Sequence, residues 1–383
     1  MRAVVVGAGA WGLPAALALA DRGHQVLCLD RDGPGNRWSS SSGPTRLWRV
    51  ADPDPAAIRL GRRSAEALRR VEGRLGRPVH TSTGLLWRDA PGPLRHIAEA
   101  VRAEGVQHAE VPAASVGEAF PGLRPDGRDA LWFPEAGATL AADLIEGYVR
   151  LYSEAGGTML TGVEVVELRL APDAAVVMLD GGTTLEADAV VVCAGAGTST
   201  LLSGIGLEVP LRPFLEQVVH LGTPGAPHAA DAAPCLFDGP GEHGPGIYAM
   251  PTPGVGYKIG IDDPLRTLVP GDRDRQPDPR CTRAIVARAD AVLPSESREV
   301  VDELVCCWTD SPDGWFVVDR VGPVVVACGD AGKGFKYSPA MGEILADLAE
   351  GAAPDADVAA MSADRFAGLD VEDWTPTALG ATR

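Results

Sequence analysis

The 383-residue chain is 45% hydrophobic and 22% charged, with a formal net charge of −18 and a mean hydropathy near zero. This length allows two domains and a substantial core, while the negative balance argues against nucleic acid or anionic membranes, which bind through Lys/Arg patches. Seven scattered cysteines with no CxxC pair and seven histidines with no ligand spacing argue against a disulfide framework or a metal site and favour a reducing cytoplasm.

The first element is the most informative. Ala3–Val6 is an apolar run that meets Gly7-Ala-Gly9-Ala-Trp11-Gly12; a helical pattern then runs to Arg22-Gly23, and a second apolar run ends at Asp30. Strand, glycine turn, helix, strand and acid follow in the order of a dinucleotide-binding unit. Gly7 permits the tight turn, Gly9 admits a pyrophosphate, and Gly12 allows close packing of helix on strand. Free helix N–H groups hold the phosphates, and Asp30 is expected to accept hydrogen bonds from a ribose hydroxyl. The same stretch mimics a signal peptide, but three glycines and Pro14 interrupt it, and cleavage near Ala20 would delete the motif.

After a Gly/Ser/Pro-rich loop over 32–43 the pattern predicts a helix at 54–75, a strand at 81–87 and helices at 92–103 and 141–154. Strands are expected over 157–170, 175–179 and 183–193, the last entering a second small-residue turn, Ala194-Gly195-Ala-Gly197. From Arg212 to Trp315 short strands alternate with Pro/Gly loops, which suits an antiparallel sheet. A strand at Val324–Cys328 enters the glycine turn Gly329-Asp-Ala-Gly-Lys-Gly334, and a helix follows near 339–350. The tail after Pro354 is expected to be only partly ordered.

The GAGAWG turn, the AGAG turn and the CGDAGKGFKYSP segment, in that order, resemble FAD-dependent amine oxidases of the monomeric sarcosine oxidase and N-methyltryptophan oxidase family. Gly43-Pro-Thr-Arg46-Leu-Trp-Arg49, Tyr257-Lys258-Ile-Gly-Ile-Asp262 and Val305-Cys306-Cys307-Trp308-Thr309 sharpen the resemblance, which spans nearly the whole chain. It implies an α/β, Rossmann-like FAD-binding domain (1–79, 141–208 and 316–383). Inserted into it is an α+β substrate domain on an antiparallel sheet (80–140 and 209–315). It also implies a cofactor-binding set of Gly7, Gly9, Trp11, Gly12, Asp30, Arg31, Ser41, Ser42, Thr45, Arg46, Val165, Gly195, Cys306, Gly332, Gly334, Phe335 and Lys336. Cys306 matches the cysteine joined to the flavin; were the segment a strand, Cys306 and Cys307 would face opposite sides, and only one could meet the ring.

By the same resemblance, Arg49 and Lys336 grip a substrate carboxylate, which needs an Arg fork and a second cation in a dry pocket. Lys258 promotes reaction with oxygen by stabilising developing superoxide. Asp262 stands where sarcosine-type enzymes carry histidine and looks more like the branch that oxidises cyclic imino acids; Ala249 and Trp308 replace pocket tyrosines. Asp262 is expected to pair with the substrate amine, to take its proton, or to bridge to Lys258. The expected activity is therefore oxidation of a secondary or cyclic amino acid to an imine, with oxygen reduced to hydrogen peroxide, by a cytoplasmic flavoprotein compatible with a monomer. Rival readings are a D-amino acid or glycine oxidase type, a flavin dehydrogenase using another acceptor, and a flavin-binding protein without turnover.

Overall fold

The computed structural model describes residues 1–293 and 298–369. Its first sheet has six strands in the order Val317–Val321, Val324–Cys328, Ala189–Val192, Arg2–Val6, Gln25–Asp30 and Thr158–Thr161. All neighbours are parallel except the first pair, which forms an antiparallel hairpin. The central strands are continuous Val/Ala runs because both faces are covered. On one face Ala3, Val5 and Val191 pack with the helices Gly12–Asp21, Ala141–Glu154 and Ser338–Ala349. Gly342 lets the first and last of these helices touch, since a Cβ there would lie 2.5 Å from Pro14. On the other face Val4, Val6, Val190 and Val192 pack against a three-stranded antiparallel sheet, Val165–Leu170, Ala175–Leu179 and Thr184–Ala187.

The second large sheet has nine strands. Its spine is Arg212–Gly222, bordered on one side by Glu299–Asp310 and on the other by Gly256–Ile261 and Arg266–Thr267. Ile247–Thr252, Cys235–Asp238, Leu85–Arg88, Ala130–Phe133 and Ala109–Val111 continue it outward. Every pairing is antiparallel except Cys235–Asp238 with Leu85–Arg88. A small antiparallel sheet, Thr45–Trp48, Gly137–Leu140 and His80–Thr81, completes the strand inventory of the described residues.

Three expected strands are each two strands in different sheets. The 81–87 run breaks at Gly84, which has φ +83° and packs so closely on Trp132 that a Cβ would lie 2.2 Å from its ring. The 157–170 run breaks near Gly162 (φ +73°). The 183–193 run breaks at Asp188, whose carboxylate accepts the Arg2 backbone N–H at 2.6 Å. The helix Pro279–Val292 falls within the stretch expected to be all strand; Asp278 caps it by accepting from the Arg280 N–H. Past Pro354 the chain forms short helical turns at Ala356–Ala359 and Ala363–Phe366; the rest of the tail expectation, 370–383, lies outside the described residues. No helix among the described residues is long and apolar enough to cross a membrane, and none of their His, Cys, Asp and Glu side chains cluster as a metal site.

Candidate active site

A cavity of about 1060 Å³ is lined from both large sheets. One end is built by the first glycine turn. Gly7 has φ +102°, and a Cβ there would lie 2.3 Å from the Cys193 carbonyl oxygen. A Cβ on Gly12 would lie 1.8 Å from the Gly7 carbonyl oxygen, so Gly12 serves helix packing and does not itself border the cavity. Gly9, Trp11, Asp30, Arg31, Ser41, Val165 and Gly195 do line it. Asp30 is already engaged: Oδ2 accepts from the Ala8 N–H at 2.7 Å, and Oδ1 accepts from Asp32 and Gly33. It therefore ties the turn to the following loop while lining the cavity. Ser41 Oγ accepts from the Ala10 N–H at 2.8 Å.

The C-terminal turn closes on the same place. Gly332, Gly334, Phe335 and Lys336 line the cavity, and the Trp11 indole N–H donates to the Gly334 carbonyl at 3.0 Å. Ala331 holds a left-handed conformation (φ +49°) beside Gly332 (φ +65°), a turn fixed by the Ala331 N–H donating to Thr309 O. The Arg46 guanidinium, over the Phe335 ring at 5.6 Å, donates to the carbonyls of Ser40, Ser42 and Thr45. Ser42 and Thr45 lie behind the wall: Ser42 serves Arg46, while the Thr45 carbonyl accepts from Lys258 Nζ at 2.9 Å. Burial and the nearby Arg46 push the Lys258 ammonium down to about 7.

Arg49 and Lys336 converge on one buried carboxylate. Arg49 donates to Asp52 Oδ2 at 3.0 Å, and Lys336 Nζ lies 3.6 Å from the same oxygen. The Arg49 guanidinium also stacks over Trp87 at 4.6 Å. Burial opposes ionisation of Asp52, yet Arg49, Lys336 and Lys333 together hold its carboxyl below the usual range. Burial, with Arg49 second, drives Lys336 well below an ordinary lysine. Arg49, Asp52, Lys333 and Lys336 all line the cavity.

Cys306 and Cys307 both reach the cavity wall. Their thiols differ in company. Cys307 Sγ donates to the Trp38 carbonyl at 3.2 Å and lies 3.6 Å from Ser40 Oγ, and burial pushes it up to about 11. Burial also raises Cys306, but its charged neighbours include Arg46, Glu216 and Lys258.

Two positions expected at the substrate pocket lie off the cavity wall. Asp262, just beyond the strand Gly256–Ile261, does not border the cavity; its backbone N–H donates to the Gly246 carbonyl. Ala249 is buried in the core on the far face of its strand, and alternation brings Tyr248 and Met250 to the cavity instead. Trp308 lines the cavity and packs on Phe214 at 4.9 Å. The sequence reading missed Glu216, buried in the spine strand opposite Cys306. Tyr248 reaches it by crossing Gly260, where a Cβ would lie 2.4 Å from the ring, and its hydroxyl donates to Glu216 Oε1 at 2.6 Å. Burial, and then the negative charge of Asp262, raise Glu216 to about 8 against the Tyr248 bond and Lys258. The Gly in Lys258-Ile-Gly260 was the available signal.

The glycine turns open onto a cavity at the upper end of the usual cofactor-site range, roughly 300–1,000 Å³. Residues 2–348 match the family of FAD-dependent oxidoreductases. The chain belongs to that family. Over 375 residues it is 28% identical to a monomeric sarcosine oxidase of Bacillus sp. (strain NS-129), covering 95% of this chain and 96% of that protein. It is 25% identical over 377 residues to an N-methyl-L-tryptophan oxidase of Citrobacter koseri, covering 95% and 98%. Among solved structures it resembles the open form of NikD, an unusual amino acid oxidase essential for nikkomycin biosynthesis. That likeness has a TM-score of 0.80 at 23% identity and covers 94% of this chain and 96% of that one.

Proposed function

We propose that this flavoprotein is an oxidase of a secondary or cyclic amino acid, converting the amine to an imine with reduction of oxygen to hydrogen peroxide. The observation that carries the reading is the buried Arg49–Asp52–Lys336 cluster on the cavity wall. Two cations, with Lys333 beside them, already organise around one carboxylate, and their excess positive charge suits a second, incoming one. The relatives' names, sarcosine oxidase and N-methyl-L-tryptophan oxidase, support a substrate with an N-alkylated amino group and a carboxylate.

When bound, FAD supplies the two-electron acceptor chemistry and its return to oxygen. Gly7, Gly9, Asp30, Arg31, Ser41, Val165 and Gly195 would hold its nucleotide half; Arg46, Gly332, Gly334 and Phe335 would hold its ring end. Arg49 and Lys336 fix the carboxylate and so the orientation of the amine. Trp87, Phe237, Met250 and Trp308 exclude water. Lys258 contributes a buried cation for the oxygen reaction. Cys306 is the thiol proposed to attach the cofactor, because Cys307 is engaged with Trp38 and Ser40.

A screen for peroxide release over N-methyl, cyclic and primary amino acids tests the reading. Turnover of N-methyl or cyclic members is the expected result; peroxide from none of them, with flavin bound, would overturn it.

A further inference from the structure

One polar group on the cavity wall, Glu216, has no part in the function proposed for the site and is not fully satisfied. Glu216 is 2% exposed and lines the cavity. One carboxyl oxygen accepts from Tyr248; the other, Oε2, is buried with no hydrogen-bond partner. A buried carboxyl left half-satisfied costs stability, and the fold adds to that cost by keeping Gly260 bare so that Tyr248 can reach it. The groups facing Glu216 come from every neighbouring element. They are Lys258 from the adjacent strand Gly256–Ile261 and Asp262 just beyond it, Tyr248 from the strand after that, Cys306 and Trp308 from Glu299–Asp310 on the other side, and Cys281 from the helix Pro279–Val292. None of these saturates Oε2: the Trp308 indole N–H, despite its proximity, also lacks a partner in hydrogen-bond geometry.

We propose that Glu216 recognises the nitrogen of the substrate and takes its ammonium proton, so that the amine is held uncharged in the cavity. The inference rests on the amino-acid oxidase reading and deepens it: Arg49 and Lys336 read the carboxylate, Glu216 the nitrogen. The exchange balances without electrons: where Glu216 is ionised, R2NH2⁺ and the carboxylate give R2NH and the carboxylic acid, and where the carboxyl already carries its proton, below about pH 8, the ammonium proton leaves to solvent on binding. Tyr248 fixes the carboxyl through Oε1 and leaves Oε2 for the ligand. Asp262 acts through Glu216 and is a positioning residue: its negative charge makes the Glu216 carboxyl a stronger proton acceptor. The substrate is thereby an amino acid whose nitrogen arrives as an ammonium group.

The test is anaerobic binding calorimetry on holoprotein with two probes. 2-Methylproline has no hydrogen on the carbon bearing the carboxylate; 2-methyltetrahydrofuran-2-carboxylate replaces its nitrogen by oxygen. Wild-type protein is expected to bind the amine roughly ten- to a hundredfold more tightly than the ether, as one charge-assisted hydrogen bond would give. Buffers of different ionisation enthalpy should show that amine binding releases close to one proton at pH 7 and almost none at pH 9. Glu216→Gln is expected to bind the ether as wild type does, to lose the preference for the amine, and to lose this pH-dependent release. Retention of the preference by Glu216→Gln overturns the inference; failure of wild type to bind either carboxylate overturns the amino-acid reading itself. Should Glu216→Gln not retain flavin, Tyr248→Phe replaces it. Removing the donor to Oε1 should move the proton-release window to higher pH, and an unmoved window overturns the proposal.

Discussion

Tyr248 and Glu216 meet across an intervening strand, the tyrosine hydroxyl donating at 2.6 Å over a glycine that leaves the ring its only room. Gly260→Ala places a methyl group where the ring lies. The expected cost is about 1–3 kcal/mol from overpacking, or displacement of Tyr248 from Glu216. Thermal melting with flavin absorbance as a second probe distinguishes this from an innocuous change; an unaltered melt and an unaltered amine affinity would show that the contact is unimportant.

Glu216 also shapes stability against pH. Its carboxyl is raised from 4.5 to about 8 by burial, so the folded protein retains the proton longer than the unfolded chain. The associated stability is fully present below about pH 4.5 and is lost as pH rises towards 8. Glu216→Gln cannot ionise, and its denaturation midpoint should decline less between pH 5 and 8 than that of wild type. Parallel declines would mean that Glu216 ionises normally.

Arg49→Met should weaken binding of any carboxylate ligand roughly ten- to a hundredfold, since a charge-assisted contact contributes about 1.5–3 kcal/mol. It also leaves Asp52 with Lys336 as its nearest remaining cation. The binding loss should therefore come with a drop in stability. Titration with a carboxylate and with its amide gives the ratio that matters: wild-type affinity for both would dismiss Arg49 as the carboxylate fork.

Lys258→Met should slow reaction of the reduced protein with oxygen roughly a hundred- to a thousandfold, corresponding to about 3–4 kcal/mol of lost charge stabilisation. Reduction by substrate without air should change far less. Stopped-flow mixing of pre-reduced protein with oxygen measures the step directly, and reoxidation at the wild-type rate would remove Lys258 from it.

Acid precipitation should leave the yellow colour in the protein pellet, and Cys306→Ala should free it while Cys307→Ala should not. Peptide mass mapping locates the link. A colourless wild-type pellet would refute attachment, and flavin on Cys307 would refute the choice of thiol.

The glycine-turn end of the cavity was readable because its geometry is written in backbone requirements. Gly7 and Gly12 are glycines for reasons local to the turn, and a turn of that kind is contiguous in sequence. The central Val/Ala strands announced a sheet covered on both faces. The substrate end was less legible because it is assembled by strand alternation and register. A one-residue step separates Tyr248, on the cavity, from Ala249, in the core, and nothing local decides between them. Glu216 looked like an ordinary polar residue in a strand until pairing set it opposite Cys306. Asp52 lies three residues after Arg49, but its role depends on Lys336, which is distant in sequence. The strand breaks at Gly84 and Gly162 fell inside runs whose β-propensity continues through them.

The hydrogen bond from Trp11 to Gly334 has a consequence for how the protein is made. A ribosome releases the first glycine turn long before it has synthesised the segment that the indole must find, and the strand Val324–Cys328 that leads into that segment is equally late. On the proposed reading, the nascent amino-terminal half would carry the phosphate-binding turn but only one side of the cofactor's berth. If these two turns jointly hold the flavin, its acquisition would be deferred until translation is nearly finished, and colour would mark chains that include the second turn. A product truncated before residue 324 should remain colourless however well its first strands pair.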